Sequence, residues 1–225
     1  MIIDLSQVFY DGMPGVRFKR ETGETVELTA HIRPYMTHAQ SSRHYQDKAS
    51  FEITDVAFQS SVGTKLDAPR HRFQGADDVA SLELDRLVLD GIVIDAPNAT
   101  RTTAWLDRPT VSRAPRGSRR PIEFRLDRYW ATETYRSHPF ISRDVVTRLC
   151  NAGVALFGVD CSNVDSTNDP ERPAHTWFLK QGILIVENLT NLSRLHGVPF
   201  RFFSIPLKAR GAAAFPVRAF AEVSG

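Results

Sequence analysis

Residues 61–71 read S-V-G-T-K-L-D-A-P-R-H, and this stretch says more about the fold than any other part of the 225-residue chain. It combines glycine and proline, which set tight backbone turns, with side chains that carry chemistry. Asp67 can bind a metal ion, and His71 can move protons near neutral pH. Lys65 brings a positive charge close to Asp67 if both side chains point into the same cleft. The stretch therefore indicates a reactive site.

The pattern resembles the metal-binding signature of the cyclase and kynurenine formamidase family, which reads His-x-Gly-Thr-His-x-Asp-x-Pro-x-His. The matching residues are Gly63, Thr64, Asp67, Pro69 and His71. Ser61 and Lys65 stand where the family has its first two histidines. Neither a hydroxyl nor a protonated amine replaces a neutral imidazole as a metal ligand. The family's metal site is thus degenerate in this chain.

The resemblance extends over nearly the whole chain. Residues 4–6 and 12–14 are similar to the family's opening, and His175 followed by E-N-L at residues 187–189 is similar to its second metal segment. The resemblance implies an α/β fold of the swivelling β/β/α (cyclase-like) type, with mixed β-sheets and flanking helices. It also implies a homodimer or homotetramer. The length favours a single cyclase-like domain over residues 1–225.

The resemblance also implies roles for individual residues. Asp67, His175 and Glu187 match metal ligands of the family, and His71 matches its general acid/base. Independently, one histidine with two carboxylates is a recurrent set for a catalytic divalent ion. The alternative is a buried polar network without an ion. We expect either no cofactor or one divalent metal, zinc or manganese, since a standard pair lacks its ligands.

Lys65 is the main departure from the family pattern. Its ammonium could pair with Asp67 and Glu187, stabilise an oxyanion, and repel a divalent cation. A lysine among carboxylates stays charged, whereas one among apolar groups has a lowered pKa and could act as a base or an imine-forming amine. A structural salt bridge in a decayed site is a further alternative. The sequence does not choose between these roles.

Three functions are compatible with this pattern. The first is a divergent cyclase-family enzyme with His71, Lys65 and Asp67 as catalytic residues. It would cyclise, dehydrate or hydrolyse a small cyclic or carbonyl-containing substrate such as an amide, a lactone or a polyketide-like molecule. The second is a mononuclear metal-dependent amide or lactone hydrolase similar to kynurenine formamidase. The third is a non-catalytic ligand-binding pseudoenzyme. Ser61 as a nucleophile is disfavoured because no third group would orient its base.

The composition excludes other classes of function. The chain has 28 basic and 26 acidic side chains, and this balance does not predict a nucleic-acid surface. No window approaches the ~20 apolar residues of a membrane-spanning helix, and the N-terminus has no secretory signal pattern. We expect a soluble, cytoplasmic protein whose partner is a small-molecule substrate. Cys150 and Cys161 are expected to be reduced thiols.

Hydrophobic patterns predict the secondary structure. Strands are expected at residues 1–5, 25–33, 51–59, 92–95, 154–159, 183–187, 200–205 and 216–222. Helices are expected at residues 143–151, between Ser142 as N-cap and Gly153, and at residues 175–181. Residues 38–48 are predicted to be a polar loop. Residues 108–121 are rich in proline and arginine and predict a solvated loop, with a lid over an anionic substrate as the alternative.

Overall fold

The structure of the protein, a computed structural model, describes residues 1–94, 103–106 and 126–223. The chain forms two compact units. The larger unit comprises Met1–Gln7 and Thr64–Gly225, and the smaller unit comprises Val8–Gly63. The single domain expected over residues 1–225 stays a prediction.

The secondary-structure elements alternate between strands and short helices along the chain. The strands are β1 (Ile2–Asp4), β2 (Pro14–Lys19), β3 (Thr25–Thr29), β4 (His31–Met36), β5 (Ile53–Ala57), β6 (Lys65–Asp67), β7 (Val88–Ile94), β8 (Thr103–Leu106), β9 (Leu156–Val159), β10 (Leu184–Glu187), β11 (Phe200–Pro206) and β12 (Ala214–Val223). The α-helices are α1 (His38–Ser41), α2 (Glu133–Arg136), α3 (Arg143–Ala152) and α4 (Pro173–Lys180). Short 3₁₀ helices include Pro69–His71 and Leu192–Leu195.

The larger unit is built on one mixed sheet with the strand order β1-β12-β11-β7-β8-β9-β10-β6. β9 and β10 are parallel, while the other neighbours are antiparallel. β6 also pairs with β12, so the sheet curls back on itself. This arrangement confirms the predicted α/β class with a mixed sheet.

Side chains of β6 and β10 alternate between the two faces of the sheet, as strand geometry requires. Leu66, Leu184 and Val186 enter a hydrophobic cluster that also includes residues of β1, β7, β11 and β12. Ile185 joins a second cluster, which contains buried apolar side chains of α3 and α4. Burial of each of these side chains stabilises the fold by about 1.5–3 kcal/mol. The alternation places Lys65 on the face opposite to Leu66.

Both predicted longer helices are present, and α3 begins and ends at the signals expected from the sequence. The Ser142 hydroxyl accepts a hydrogen bond from the backbone N–H of Val145, and α3 ends at Gly153 with φ of 70°. Val146 and Leu149 are the buried residues of this helix. Helix α4 begins with a proline, whose missing N–H is tolerated in the first turn. The predicted helices at residues 143–151 and 175–181 are confirmed within two residues at each end.

The smaller unit contains two two-stranded sheets, β2–β3 and β4–β5. The expected strand at residues 25–33 is divided into β3 and β4. The expected loop at residues 38–48 is wrong, because α1 and a 3₁₀ helix at Ser42–Tyr45 lie there. A capping box explains the helix: the Thr37 hydroxyl accepts from Gln40 N, and the Gln40 side chain accepts from Thr37 N.

Two other expectations concern the rest of the chain. The loop at residues 108–121, with its possible lid function, lies outside the described residues. In the described parts of the chain, no helix combines the length and apolar character that crossing a lipid bilayer demands.

Candidate active site

The site begins with two neighbouring strands of the larger unit. Lys65 and Asp67 are the first and last residues of β6, so their side chains emerge on one face. Glu187, the last residue of β10, is the cross-strand partner of Lys65. All three are buried, with residue exposures of 5% for Lys65, 0% for Asp67 and 1% for Glu187. Strand register thus brings one ammonium and two carboxylates together away from bulk water.

The Lys65 ammonium lies between the two carboxylates. Its Nζ atom is 2.7 Å from both Oδ1 and Oδ2 of Asp67, and 2.8 Å from Oε2 of Glu187. An ammonium has three N–H donors. Three carboxylate oxygens at hydrogen-bond distance therefore match its whole donor capacity.

Burial and charge act in opposite directions on the pKa of Lys65. Burial lowers this pKa, but the adjacent Asp67 and Glu187 carboxylates outweigh burial and raise it above its ordinary value. Burial raises the pKa of Asp67, and the charge of Lys65 together with His175 holds it well below its usual range. Lys65 is therefore the charged lysine among carboxylates, which disfavours the roles of base and imine-forming amine.

His175, on α4, faces the same carboxylates from the helix side. Its Nε2 atom is 3.6 Å from Oδ2 of Asp67 and 3.5 Å from Oε1 of Glu187. Its Nδ1 atom is 2.7 Å from Oδ2 of Asp165. Burial lowers the pKa of His175, but the hydrogen bond with Asp165 and the nearby carboxylates raise it to about 9. The imidazole is then protonated at pH 7, so Lys65 and His175 balance the charges of Asp67 and Glu187.

His71 is the most accessible of these titratable side chains. It ends the 3₁₀ helix that follows β6, and 31% of its side chain is exposed. Its Nδ1 atom is 3.9 Å from Oδ1 of Asp67, and its ring centroid is 5.6 Å from that of His175. Burial lowers the pKa of His71; Asp67 opposes this shift and the Lys65 charge reinforces it. His71 is therefore a neutral imidazole at pH 7.

Part of the site has the spacing that a divalent ion requires. Asp67, His71 and His175 each offer a ligand atom within 4.8 Å of one another, which is close enough for a metal site. However, Lys65 Nζ already contacts both oxygens of Asp67. An ion bound to Asp67 would face this ammonium across a dry site, where like charges repel strongly. The donor set does not fit a divalent ion while Lys65 keeps this position.

The structure brings together all five residues singled out from the sequence: Lys65, Asp67, His71, His175 and Glu187. Their roles stay predictions. Ser61 belongs to the smaller unit. Cys150 and Cys161 are both free thiols. Burial raises the pKa of the Cys161 thiol, which makes it a poor nucleophile.

Asp165 and Arg172 were missed by the sequence analysis. The Asp165 carboxylate is fully buried beside His175, and Arg172 Nε is 3.7 Å from it. Neither residue belongs to a motif with a recognisable spacing. One local signal was available, since a proline favours the first position of a helix and excludes the preceding residue, here Arg172, from it.

The chain is similar to proteins of one known family. The family model described as "Putative cyclase" matches residues 3–166. This region contains the whole signature at residues 61–71 and ends before His175.

Individual relatives agree with the family match. The kynurenine formamidase of Salinibacter ruber is 28% identical over 186 residues, which cover 80% of this chain and 84% of that protein. Isatin hydrolase A from Labrenzia aggregata, solved with benzyl benzoate, has a TM-score of 0.75 at 17% identity and covers 100% of this chain and 94% of its own. A structure described as a potential metal-dependent hydrolase with cyclase activity has a TM-score of 0.63 at 17% identity, covering 98% and 96%. At these identities the solved structures establish the fold.

Proposed function

This chain is a hydrolase-like enzyme that belongs to the cyclase family, and we propose that His71 is its general base and acid in a reaction without a metal ion. The substrate is a small amide or lactone. One observation carries this proposal: Lys65 Nζ lies within 2.8 Å of both Asp67 and Glu187, the residues that a metal would require. In this proposal the Lys65 ammonium occupies the position that a metal ion would take.

The reaction can be written with His71 as the group that moves the proton. Its neutral imidazole removes a proton from water while the water oxygen forms a bond to the substrate carbonyl carbon. The C–N or C–O bond then breaks, and His71 returns the proton to the leaving nitrogen or oxygen. Asp67 faces Nδ1 of His71 and so favours the tautomer with a proton on Nδ1 and a basic Nε2.

Lys65 contributes through its charge. Its three N–H donors are directed at carboxylate oxygens, so a direct hydrogen bond to a substrate oxyanion would require one of those bonds to break. The ammonium keeps Asp67 ionised, and the charge of Asp67, 3.9 Å from Nδ1, stabilises the protonated form of His71 that arises during the reaction. In this proposal Lys65 supports the base, whereas the sequence alone had also allowed it to bind the oxyanion.

The substrate class is taken from the relatives. A formamidase hydrolyses a formamide, and isatin is a cyclic amide, so both names point to a carbonyl attached to nitrogen. We propose N-formyl aromatic amines, cyclic amides and lactones as the compounds to test. Cyclisation or dehydration of a polyketide-like substrate uses the same His71 chemistry and belongs in the same panel. A bound compound that stabilises the protein without turnover would instead favour a ligand-binding pseudoenzyme.

A mononuclear metal-dependent hydrolase is the second candidate. Its expected ligands are Asp67, His175 and Glu187, and the distances of 3.5–3.6 Å from His175 Nε2 to both carboxylates favour it. The description of one structural neighbour as a potential metal-dependent hydrolase also favours it. It requires Lys65 to leave Asp67 so that zinc or manganese can bind there. Elemental analysis of protein purified without chelator separates the candidates, since one bound ion per chain would contradict the metal-free mechanism.

The decisive experiment measures turnover of N-formylkynurenine, isatin and simple aromatic lactones. His71→Ala should lower kcat by about 10²–10⁴-fold, the usual contribution of a general base. The exposed His44 provides a matched control, and His44→Ala should leave kcat unchanged. Dialysis against a chelator should also leave kcat unchanged. Equal rates for wild type and His71→Ala would refute the proposal.

We further propose that both units form one cyclase-like domain over residues 1–225. The family match from residue 3 to residue 166 includes parts of both units and supports this view. A cytoplasmic location and a homodimer or homotetramer remain predictions. Light scattering coupled to size-exclusion chromatography tests the assembly.

A further inference from the structure

We infer that Asp165 is a positioning residue of the site, which holds the His175 ring with Nε2 directed at Asp67 and Glu187. This inference rests on the proposed function for its effect on turnover. The hydrogen bonds that support it can be tested separately.

The Asp165 carboxylate is bonded to α4 at three points. Oδ1 accepts a hydrogen bond from Ala174 N at 2.7 Å, and Oδ2 accepts one from His175 N at 3.0 Å. Oδ2 also lies 2.7 Å from Nδ1 of His175. Because the Asp165 side chain is fully buried, water does not compete for these bonds. The same carboxylate therefore fixes the helix backbone and the imidazole.

The start of α4 explains why this arrangement is needed. Arg172 occupies the N-cap position with φ of 49° and makes no side-chain capping bond. The first backbone N–H groups of a helix have no partner within the helix. Asp165 supplies that partner from a loop that follows β9, outside the helix. His175 N is one of these N–H groups, so the carboxylate that completes the helix necessarily lies beside the His175 ring.

The bond to Nδ1 sets the orientation of the ring. With Nδ1 held by Asp165, the opposite nitrogen, Nε2, lies 3.6 Å from Asp67 Oδ2 and 3.5 Å from Glu187 Oε1. The same orientation places the ring at 39° to that of His71. Without the bond, rotation of the imidazole would move Nε2 away from both carboxylates. The His175 ring would then no longer be held in a fixed position beside the ring of His71.

Asp165→Asn tests this role because it preserves the size of the side chain. The amide has one oxygen and no charge. If its NH₂ group replaces Oδ2, His175 N and Nδ1 both lose their acceptor; if its oxygen replaces Oδ2, Nδ1 keeps only a neutral acceptor, which forms a weaker bond than a carboxylate. The environment of Nδ1 therefore changes in both orientations. Ser142→Ala is the matched control. It removes the cap of the neighbouring helix α3 and leaves His175 untouched. A purely structural role of Asp165 would make the two variants alike.

The first measurement is ¹⁵N NMR of the histidine rings, with His175→Gln used to assign the His175 signals. Asp165→Asn should shift the Nδ1 resonance of His175, and Ser142→Ala should not. The second measurement is turnover of whichever test amide or lactone the wild type hydrolyses. Asp165→Asn should lower kcat by up to about 10²-fold, the cost of a 1 Å displacement in a site of this kind, with KM nearly unchanged.

Two results would overturn the inference. One is an unchanged Nδ1 resonance in Asp165→Asn. The other is a loss of kcat no larger than that of Ser142→Ala. If the wild type hydrolyses nothing in the panel, the proposed function fails while the NMR comparison still decides whether Asp165 positions the ring.

Discussion

Replacing Lys65 with methionine removes the cation from the centre of the site while nearly preserving the length of the side chain. In the wild type, three oxygens of Asp67 and Glu187 lie within 2.8 Å of Lys65 Nζ. In the variant these oxygens would remain buried without that partner. His175 would remain as a second positive group at 3.5–3.6 Å. The variant therefore isolates what the ammonium contributes to stability.

The magnitude follows from the burial of the pair. Breaking a buried ion pair by removing one partner destabilises proteins by about 3–5 kcal/mol, because an uncompensated charge stays inside. We expect this loss in the free energy of unfolding at pH 7. Lys208→Met, at an exposed position of the same unit, is the matched control and should change stability by less than about 0.5 kcal/mol.

The pH dependence gives a sharper test. In the wild type the pKa of Asp67 is lowered, so its stabilisation is present above the unfolded pKa and is lost as pH falls through the folded pKa. In Lys65→Met the same carboxyl should have a raised pKa, so its penalty grows as pH rises. The difference in stability should therefore narrow as pH falls from 8 to 4, because the variant loses its penalty over this range while the wild-type stabilisation is still present at pH 4.

Urea unfolding, followed by tryptophan fluorescence between pH 4 and pH 8, measures both quantities. A difference below about 1 kcal/mol at pH 7 would refute the reasoning, as would a difference that does not change with pH. Lys65→Met/Asp67→Asn removes one charge of each sign and should recover part of the loss.

Three further predictions follow from the same geometry. The value of kcat/KM should fall as pH drops below the lowered pKa of His71 and should stay level above pH 7. A profile that falls only above neutral pH would contradict the role of His71 as a base that acts in its neutral form. Because the folded pKa of His175 is raised to about 9, the stabilisation that it gives relative to His175→Gln should be complete below pH 6.5 and lost as pH rises through 9. Urea unfolding should show this as a fall of roughly 3 kcal/mol at most in the difference between the free energies of unfolding of the two proteins. Lys65→His should bind zinc in calorimetry where the wild type does not, and equal binding by both would show that Lys65 is no barrier to an ion.

Much of the fold could be predicted because its signals are local. The ends of α3 could be read from Ser142 and Gly153, since a hydroxyl N-cap and a left-handed glycine act within a few residues. The apolar runs of β9 and β10 likewise identify themselves as buried strands. The helix at residues 38–41 was missed because a capping box outweighed the polar composition around it.

The sequence predicted which residues form the site, but it did not predict their charge states. The signature and the later His175 and Glu187 indicated which residues belong together. The charge state of Lys65 depends on the register that pairs it with Glu187, and no local pattern encodes that register. Asp165 reaches His175 only through the packing of its loop against α4, so its role became visible only in three dimensions.

The pairing of β6 on both sides has a consequence for how the site opens. Separation from β10 alone would leave β6 hydrogen-bonded to β12, and separation from β12 alone would leave it bonded to β10. Neither fluctuation by itself releases the three residues of this strand to solvent. Exchange of a backbone amide of β6 should therefore require separation from the strand that this N–H faces while the other strand still holds β6 in place, and such openings should be rarer than fraying of a strand paired on one side only.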